Sequence, residues 1–287
     1  MTDEYYSPLR YPGGKAKVAD YFKHVIRENL LLDGVYVEPF AGGASVALSL
    51  LLNEYVSRII INDIDRAIYA FWHCVLNETD KICALIQNVP INIKHWREQR
   101  DIQKNKKDQD LLSLGFSTFY LNRTNRSGIL SGGVIGGLDQ KGPWKMNARY
   151  NKARLIRRIQ RISEYRTRIE LYNCDALKLI THLKLKLPKN TLFYLDPPYF
   201  EKGQDLYLNY YRTDDHQKIA SAVEQIKKQK WIVTYDNVTP IRQMYRNYRK
   251  IKFSLNYSAA KAVKGEEIII FSKDLYLKRS RSIYASQ

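Results

Sequence analysis

The feature that most constrains the fold is a strand–helix–strand unit near the amino terminus. The segments 35–40 (VYVEPF) and 58–65 (RIIINDID) are each typical of a short buried strand. The stretch between them, AGGASVALSLLL, predicts a glycine-rich turn followed by a helix. Two strands joined through a helix within about 30 residues lie parallel in one sheet. The chain is therefore predicted to have an α/β fold.

The same alternation of strands and helices returns in the second half of the chain. We predict strands at 168–176, 191–199 and 231–237, a helix at 216–230, and an antiparallel pair at 250–259 and 266–273 that closes one edge of the sheet. A further helix is predicted at 16–32, because apolar residues recur on one face: Val18, Tyr21, Phe22, Val25 and Ile26.

The middle of the chain, residues 66–165, has a different character. Helical stretches lead into a turn-rich run at 122–151, whose polar tips are Asn122, Arg123, Asn125, Arg126 and Ser127. Ten Lys or Arg and a single acid, Glu164, follow between 141 and 168. A plain solvated face is the ordinary explanation of such a run. Leu155, Ile159 and Ile162 form an apolar stripe, so the cations would occupy the other faces of a helix that suits a nucleic acid.

The charge and the cysteines restrict partners and compartment. The net charge is +18 and the pI is near 9.6, which favours a polyanionic partner. The three cysteines, Cys74, Cys83 and Cys174, fit neither a zinc site nor a disulfide framework, so we expect reduced thiols. The start of the chain lacks an apolar signal core, and no run approaches about 20 apolar residues. We therefore expect a cytoplasmic protein with no membrane contact and no metal.

The stretch LFYLDPPYF at 192–200 ends a buried strand on a carboxylate. A proline fixes its own φ and holds the preceding residue in the extended region. Asp196 is therefore extended at the strand end, and the carbonyl of Pro197 has a fixed direction. Two acceptors are therefore held still beside the ring of Tyr199. For a lone pair of prolines, a strand end and a turn would be the simpler interpretation.

Other motifs lie where strands are predicted to end. EPFAGG at 38–43 places glycines between a strand and a helix amino terminus, where the backbone can approach a ligand. Asp63 and Asp175 each follow a strand, and RYPGGK at 10–15 precedes the first one. Taken singly, these are also ordinary turns, helix caps and a surface lysine.

The order of the motifs is more specific than any one of them. RYPGGK, EPFAGG, a strand-end ND, a basic insert, CD and DPPY follow one another along nearly the whole chain. This set resembles the Dam-type family of adenine-specific DNA methyltransferases. The resemblance implies a Rossmann-like, S-adenosylmethionine-dependent methyltransferase domain, residues 1–65 and 166–287, with an inserted and mainly helical target-recognition domain, residues 66–165. The active protein would be a DNA adenine methyltransferase.

The resemblance also assigns residues to roles. The catalytic element would be Asp196, Pro197, Pro198 and Tyr199. Cofactor contacts would come from Tyr11, Lys15, Glu38, Phe40, Gly42, Asp63, Asp175 and Asp196, with Asp63 on the ribose hydroxyls. The DNA contacts would be Arg123, Asn125, Arg126, Lys145, Arg149, Lys152, Arg157, Arg158 and Arg161. Tyr207, Tyr210 and Tyr211 are further candidates for closing the pocket.

The implied chemistry is methyl transfer to a flipped base. Asp196 and the Pro197 carbonyl would hold the 6-amino group of adenine, and Tyr199 would stack on the ring. Two alternatives stay open: a cytosine 4-amino DNA methyltransferase, and a catalytically silent DNA-binding subunit of a restriction or defence system. RNA adenine and protein-glutamine methyltransferases typically carry Asn at the position of Asp196.

The expected partner is double-stranded DNA, bound by a monomer, with a cognate restriction endonuclease as a further expectation. We expect a bacterial or phage origin. The recognition sequence is open, because GATC-specific relatives carry a basic side chain shortly after the loop glycine, where this chain has Ser131.

Overall fold

The structure is a computed structural model that describes residues 6–10, 18–201, 211–256 and 264–277. Within these residues the strands are β1 (Gly34–Glu38), β2 (Val56–Asn62), β3 (Ile169–Tyr172), β4 (Thr191–Leu195), β5 (Lys230–Asp236), β6 (Arg249–Asn256) and β7 (Lys264–Phe271). They form one seven-stranded sheet in the order β3-β2-β1-β4-β5-β7-β6. Every predicted strand is therefore confirmed.

The α-helices of the described residues are distributed among these strands along the sequence. They are α1 (Ala19–Glu28), α2 (Ser45–Leu52), α3 (Arg66–Asn77), α4 (Thr79–Asn88), α5 (Ile93–Lys104), α6 (Leu111–Thr124), α7 (Lys152–Glu164), α8 (Ala176–Lys186), α9 (Thr213–Glu224) and α10 (Thr239–Met244). The predicted helix at 216–230 begins three residues earlier and ends at Glu224, because the chain turns there to enter β5. None of these helices has the length and apolar character that crossing a membrane requires.

The strand order reverses between β1 and β4. From β1 the chain adds β2 and β3 on one side, and it then adds β4 and β5 on the other side. β1 pairs in parallel with β2 on one side and with β4 on the other, and β4 pairs in parallel with β5. β7 runs antiparallel to both β5 and β6, which confirms the predicted pair at the edge. In such open sheets, loops leave β1 and β4 in opposite directions, and a crevice opens at their carboxyl ends.

The chain divides into two compact units. The helical unit comprises Met1–Pro12 and Asp63–Asn173, and the sheet unit comprises Gly13–Asn62 and Cys174–Gln287. The functional boundaries of the two predicted domains stay a prediction. The three cysteines are free, as predicted.

The core of the helical unit forms where α3 and α6 cross closely. Ala67, Ala70 and Leu114 are fully buried together. A Cβ on Gly115 would lie 2.7 Å from the carbonyl oxygen of Ala70, so only glycine permits this approach. Phe71 and Phe119 stack with ring centroids 6.0 Å apart. The predicted apolar stripe of α7 is confirmed, since its buried residues are Leu155, Ile159 and Ile162.

The interpretation of 122–127 as a loop with polar tips is wrong for its first half. α6 continues to Thr124, and Asn122, Arg123 and Asn125 are buried. Their side chains satisfy backbone groups that would otherwise be buried without partners. Asn122 exchanges hydrogen bonds with the backbone N–H and carbonyl of Arg10, each at 2.7 Å. The polar residues therefore fix the amino-terminal segment of the helical unit in place.

Candidate active site

The crevice between β1 and β4 collects the motifs of the sheet unit. β1 ends at Glu38, and the turn that contains Phe40 and Gly42 follows it. β4 ends at Leu195, and Asp196 is the next residue. Both segments therefore leave the carboxyl edge of the sheet at its topological switch point, where α/β proteins bind their ligands.

Asp196 is half-buried, and a neighbouring strand fixes its carboxylate. Thr234 on β5 donates from Oγ1 to Oδ1 of Asp196 at 2.6 Å. The hydroxyl of Tyr194 lies 3.0 Å from the same Thr234 oxygen. Because the single hydroxyl hydrogen of Thr234 goes to Asp196, Tyr194 is the donor of the second bond. A chain of hydrogen bonds therefore runs from Tyr194 through Thr234 to the carboxylate.

The residues after Asp196 are held by two further carboxylates. Asp236, at the end of β5, accepts from the backbone N–H groups of Phe200 at 2.9 Å and Glu201 at 3.0 Å. Tyr199 is only 6% exposed, and its hydroxyl donates to Glu267. Pro197 is buried and Pro198 is half-buried. The backbone of the DPPY segment is therefore fixed before any ligand arrives.

Glu38 is a buried carboxyl group with unusual titration. Its Oε1 accepts from the Tyr36 hydroxyl at 2.9 Å and from the backbone N–H of Ala47 at 3.2 Å. Burial raises the pKa of Glu38 to about 8, against the opposing effect of these two hydrogen bonds. Near neutral pH the group is therefore mostly protonated, and a cationic ligand would favour its ionised form.

Asn62 organises the loops on both sides of β2. It is the first residue of the strand-end ND motif, but no role of its own was predicted for it from the sequence. Its side-chain amide donates to the carbonyls of Pro39 at 2.9 Å and Cys174 at 3.0 Å, and its Oδ1 accepts from the N–H of Cys174 at 3.0 Å. In the turn after β1, Gly42 has φ of +47°, a conformation that favours glycine. The sequence signal for Asn62 was its position as a polar residue at the end of the apolar strand β2.

Aromatic rings border the turn after β1. Phe40 and Tyr211 meet edge to face with centroids 6.2 Å apart. Tyr211 also lies beside His216, a fully buried residue whose Nδ1 is 3.0 Å from the Tyr235 hydroxyl. Tyr11, Lys15, Tyr207 and Tyr210 lie outside the described residues, so their predicted roles are not placed.

Asp63 and Asp175 have different local roles in the structure. Asp175 caps α8, since its side chain accepts from the N–H of Lys178 at 3.0 Å. Asp63 is not a cap; its Oδ1 accepts from the N–H of Asp65 at 2.9 Å, and Asp65 itself caps α3. Each of the two side chains thus has a local role in the structure of its own loop.

The predicted DNA contacts of the helical unit fall into two groups. Exposed side chains that can reach a polyanion are Arg126, Lys145, Arg149, Arg157 and Arg161. Lys152 and Arg158 are half-buried and serve the fold: Lys152 donates to the carbonyls of Gln87 and Val89, and Arg158 donates to the carbonyl of Ser7.

Arg123 and Asn125 are corrected by the structure. Arg123 is 7% exposed, and its guanidinium donates to the carbonyl of Pro8 through both Nε and Nη2. Burial and the charges of Arg158 and Arg10 lower its pKa to about 9. Asn125 accepts from the indole N–H of Trp96 at 2.7 Å and is fully buried. Neither side chain is placed to read a base.

His73, Cys74 and Glu78 place potential metal ligands within 4.8 Å of one another. The Cys74 thiol donates to the carbonyl of Leu111, and burial raises its pKa to about 12, so it stays protonated. Glu78 pairs with Lys81 at 2.9 Å. A protonated thiol and a competing ammonium make this cluster a poor metal site.

Comparison with known proteins agrees with the geometry. The family model for D12 class N6 adenine-specific DNA methyltransferases matches residues 11–260. The Type II methyltransferase M.MjaIII of Methanocaldococcus jannaschii is 21% identical over 206 residues, which are 67% of this chain and 68% of that protein.

Solved structures give more distant likenesses. A putative RNA methyltransferase from Pyrococcus horikoshii has a TM-score of 0.45 and 8% identity, covering 93% of this chain and 88% of that one. SMU.472, a putative methyltransferase complexed with SAH, has a TM-score of 0.42 and 10% identity, covering 97% and 56%. Likenesses this distant carry no argument about activity. The match to the family model spans most of the sequence, and the chain therefore belongs to the D12 class of N6 adenine-specific DNA methyltransferases.

Proposed function

We propose that Asp196 and the carbonyl of Pro197 hold the 6-amino group of a flipped adenine during methyl transfer. The reaction class follows from the family: the methyl group moves from S-adenosylmethionine to an adenine of DNA. The observation that carries the residue assignment is the 2.6 Å hydrogen bond from Thr234, which fixes Asp196 at the switch point of the sheet.

The chemistry explains why a fixed acceptor is needed. The 6-amino nitrogen is a weak nucleophile, because its lone pair is delocalised into the ring. Hydrogen bonds from its two N–H groups to Asp196 and Pro197 favour a pyramidal nitrogen whose lone pair points at the methyl carbon. The new N–C bond forms as the S–C bond breaks, and the nitrogen then loses a proton, which the Asp196 carboxylate is positioned to accept. Positioning and preorganised electrostatics supply the rate.

The residues around the crevice fit S-adenosylmethionine. The cofactor carries a sulfonium and an ammonium, and Glu38 and Asp196 supply carboxyl groups on the two sides of the switch point. A buried carboxyl group with a raised pKa can ionise when a cation binds beside it. Phe40 and Gly42 would contact the methionine part, Asp63 the ribose and Asp175 the adenine amine, with Tyr11 and Lys15 completing the site.

The target base must leave the duplex to reach this crevice. Tyr199 is the proposed stacking surface for the flipped base, and its hydroxyl bond to Glu267 would fix the plane of the ring. Stacking of this kind contributes roughly 1–3 kcal/mol. The exposed cations of the helical unit would hold the phosphates: Arg126, Lys145, Arg149, Arg157 and Arg161.

Finer assignments follow from the order of the motifs and from the Type II relative. We place the chain in the Dam-type subfamily, acting as a monomer on duplex DNA, in a restriction–modification pair with a cognate endonuclease of a bacterium or phage. Ser131 argues against GATC as the recognition sequence. Since Arg123 is buried, Arg126 is the remaining basic side chain of that segment that can read a guanine.

The test separates methyl transfer from DNA binding. Asp196→Ala should lower the single-turnover rate by at least about 10²-fold, as expected when a preorganised polar contact to the reacting group is removed. Affinity for a fluorescently labelled duplex should stay within about threefold of wild type, because phosphate contacts provide most of it. Transfer within a few-fold of the wild-type rate would return Asp196 to a structural role.

A further inference from the structure

Trp144 is an exposed indole in the helical unit. It is 71% exposed, whereas Trp72, Trp96 and Trp231 are 1%, 9% and 2% exposed. Leu138, on the same turn, is also exposed. Tryptophan and other aromatic residues are enriched at binding interfaces relative to the rest of a protein surface.

The turn that carries Trp144 is held by one side chain. Gln140 donates from Nε2 to the carbonyls of Ile135 at 2.8 Å and Gly137 at 2.6 Å, and its Oε1 accepts from the N–H of Met146 at 2.9 Å. The ammonium of Lys145 donates to the carbonyl of Gln140. These bonds tie both ends of residues 135–146 to the centre of the turn.

Close backbone packing also fixes the turn. The N–H of Gly142 donates to the carbonyl of Gly136 at 3.0 Å. A Cβ on Gly142 would lie 2.9 Å from the Cα of Gly136, and a Cβ on Gly136 would lie 2.7 Å from the carbonyl oxygen of Trp144. Gly136 has φ of +88°, which side chains rarely adopt. The backbone beneath Trp144 is therefore preformed, so ordering it on binding costs little entropy.

The charge of this segment selects the partner. Residues 135–158 contain one acid, Asp139, and seven cations: Lys141, Lys145, Arg149, Lys152, Arg154, Arg157 and Arg158. Lys141, Lys145 and Arg149 are exposed. A protein surface would need a strongly acidic face to match them, whereas the phosphates of a duplex match them directly.

We propose that residues 135–146, here called the tryptophan turn, are a preformed DNA-contacting element in which the indole of Trp144 stacks on a base. Lys141 and Lys145 flank the indole and hold neighbouring phosphates. The inference rests on the proposed function, because it takes duplex DNA as the partner. It adds an aromatic contact to that surface, at a position that none of the methyltransferase motifs includes.

Tryptophan fluorescence tests the proposal directly. Because the other three tryptophans are buried, Trp144 supplies most of the emission that acrylamide can quench. Adding a substrate duplex should lower the acrylamide quenching constant several-fold, and the Trp144→Phe protein should show little quenching with or without DNA. Anisotropy of a dye on the same duplex reports binding independently of the indole.

A matched set of variants measures the energetic contribution. Trp144→Ala should weaken duplex binding about 5- to 100-fold, the effect expected for losing one stacked base. Trp144→Phe should retain most of the affinity. Leu185→Ala changes an exposed side chain of α8 outside the turn, so it serves as the control and should bind like wild type. Each substituted side chain is exposed, so all three variants should fold, and thermal melting checks this.

The outcomes separate this inference from the function beneath it. If wild-type protein binds the duplex while Trp144 stays fully quenchable, the proposed DNA contact of the tryptophan turn is overturned. The proposed methyltransferase function is then unaffected. Equal duplex affinity of Trp144→Ala and wild type would do the same. Wild-type protein with no affinity for any duplex would overturn the DNA surface and the tryptophan turn together.

Discussion

The hydroxyl of Thr234 donates a 2.6 Å hydrogen bond to Asp196 across neighbouring strands. The sheet register makes this contact possible, because Leu195 of β4 pairs with Val233 of β5, so the next residue on each strand lies at the same level. The carboxylate is held by a rigid strand and not by a loop. Thr234 therefore positions the proposed catalytic group without touching the substrate itself.

Removing that hydroxyl should slow methyl transfer more than it weakens binding. Thr234→Val keeps the shape of the buried side chain but deletes the donor to Asp196. A hydrogen bond to a charged group contributes about 1.5–3 kcal/mol, so we expect kcat to fall roughly 10- to 100-fold. The KM for DNA should change little, and Thr234→Ser should recover most of the rate. Steady-state kinetics of the two variants measure these changes. If kcat fell equally in Thr234→Val and Thr234→Ser, the positioning role of the hydroxyl would be contradicted.

Glu38 should make folding stability depend on pH. Its pKa is raised from 4.5 to about 8, so between those values the folded protein binds a proton that the unfolded chain has released. The free energy of unfolding therefore falls as pH rises from about 5 to about 8, with a slope that approaches about 1.4 kcal/mol per pH unit for one proton. Glu38→Gln cannot titrate, so its unfolding free energy should lack this component.

Urea unfolding of both proteins at several pH values between about 5 and 8.5 checks the prediction, since this range spans the titration of the group in both states. The informative quantity is the difference in unfolding free energy between wild type and Glu38→Gln, because all other groups titrate equally in the two proteins. The variant should gain stability relative to wild type as the pH rises. A difference that is constant with pH would show that Glu38 is ionised in the folded protein.

Arg123 and Arg126 should behave oppositely, although they are close in sequence. Arg123→Met removes the charged donor to Pro8 inside the helical unit, and we expect a decrease of roughly 1.5–3 kcal/mol in unfolding free energy. Arg126 is exposed, so Arg126→Ala should leave stability unchanged and weaken discrimination at one base pair by roughly 1–3 kcal/mol. Urea unfolding and competition binding with substituted duplexes provide the two readouts.

The exposed face of α7 should set the salt dependence of DNA binding. Removing one cation that binds a phosphate reduces the slope of log K against log salt by roughly 0.9. Changing both Arg157 and Arg161 to Gln should therefore flatten the slope by up to about 1.8. The double variant should lose the same factor of affinity for every sequence and keep its preference for the target, because phosphate contacts position the protein and do not specify a sequence. Salt titrations on target and scrambled duplexes measure both effects.

Hydrophobic periodicity predicted the framework well because it records which face of an element is buried. The apolar stripe of α7 and the strand pair β6–β7 both follow from such local patterns. The order of the motifs also indicated which strand ends form the crevice. Glu38 and Asp196 therefore lie at the same edge of the sheet, as the parallel pairing of β1 and β4 requires.

Long-range polar contacts could not be predicted in the same way. Arg123 and Asn125 resemble loop residues in composition, yet they satisfy backbone groups of Pro8 and Ile129, and Pro8 is 115 residues from Arg123. Thr234 and Asp236 look like ordinary strand residues until their partners at 196 and 200 are known. A pattern in one segment does not reveal a hydrogen-bond partner in another.

The amide of Asn62 has a consequence for which substitutions the carboxyl edge tolerates. Its bonds of 2.9–3.0 Å go to the backbone groups of Pro39 and Cys174 and do not depend on which side chains those two positions carry. The Cys174 thiol adds a weak contact to its Oδ1 at 3.5 Å. Cys174 can therefore be exchanged for other small residues at little cost, whereas Asn62→Asp or Asn62→Leu releases two loops at once. In a saturation mutagenesis experiment, we expect Asn62 to tolerate very few substitutions and its hydrogen-bonded neighbour Cys174 to tolerate many.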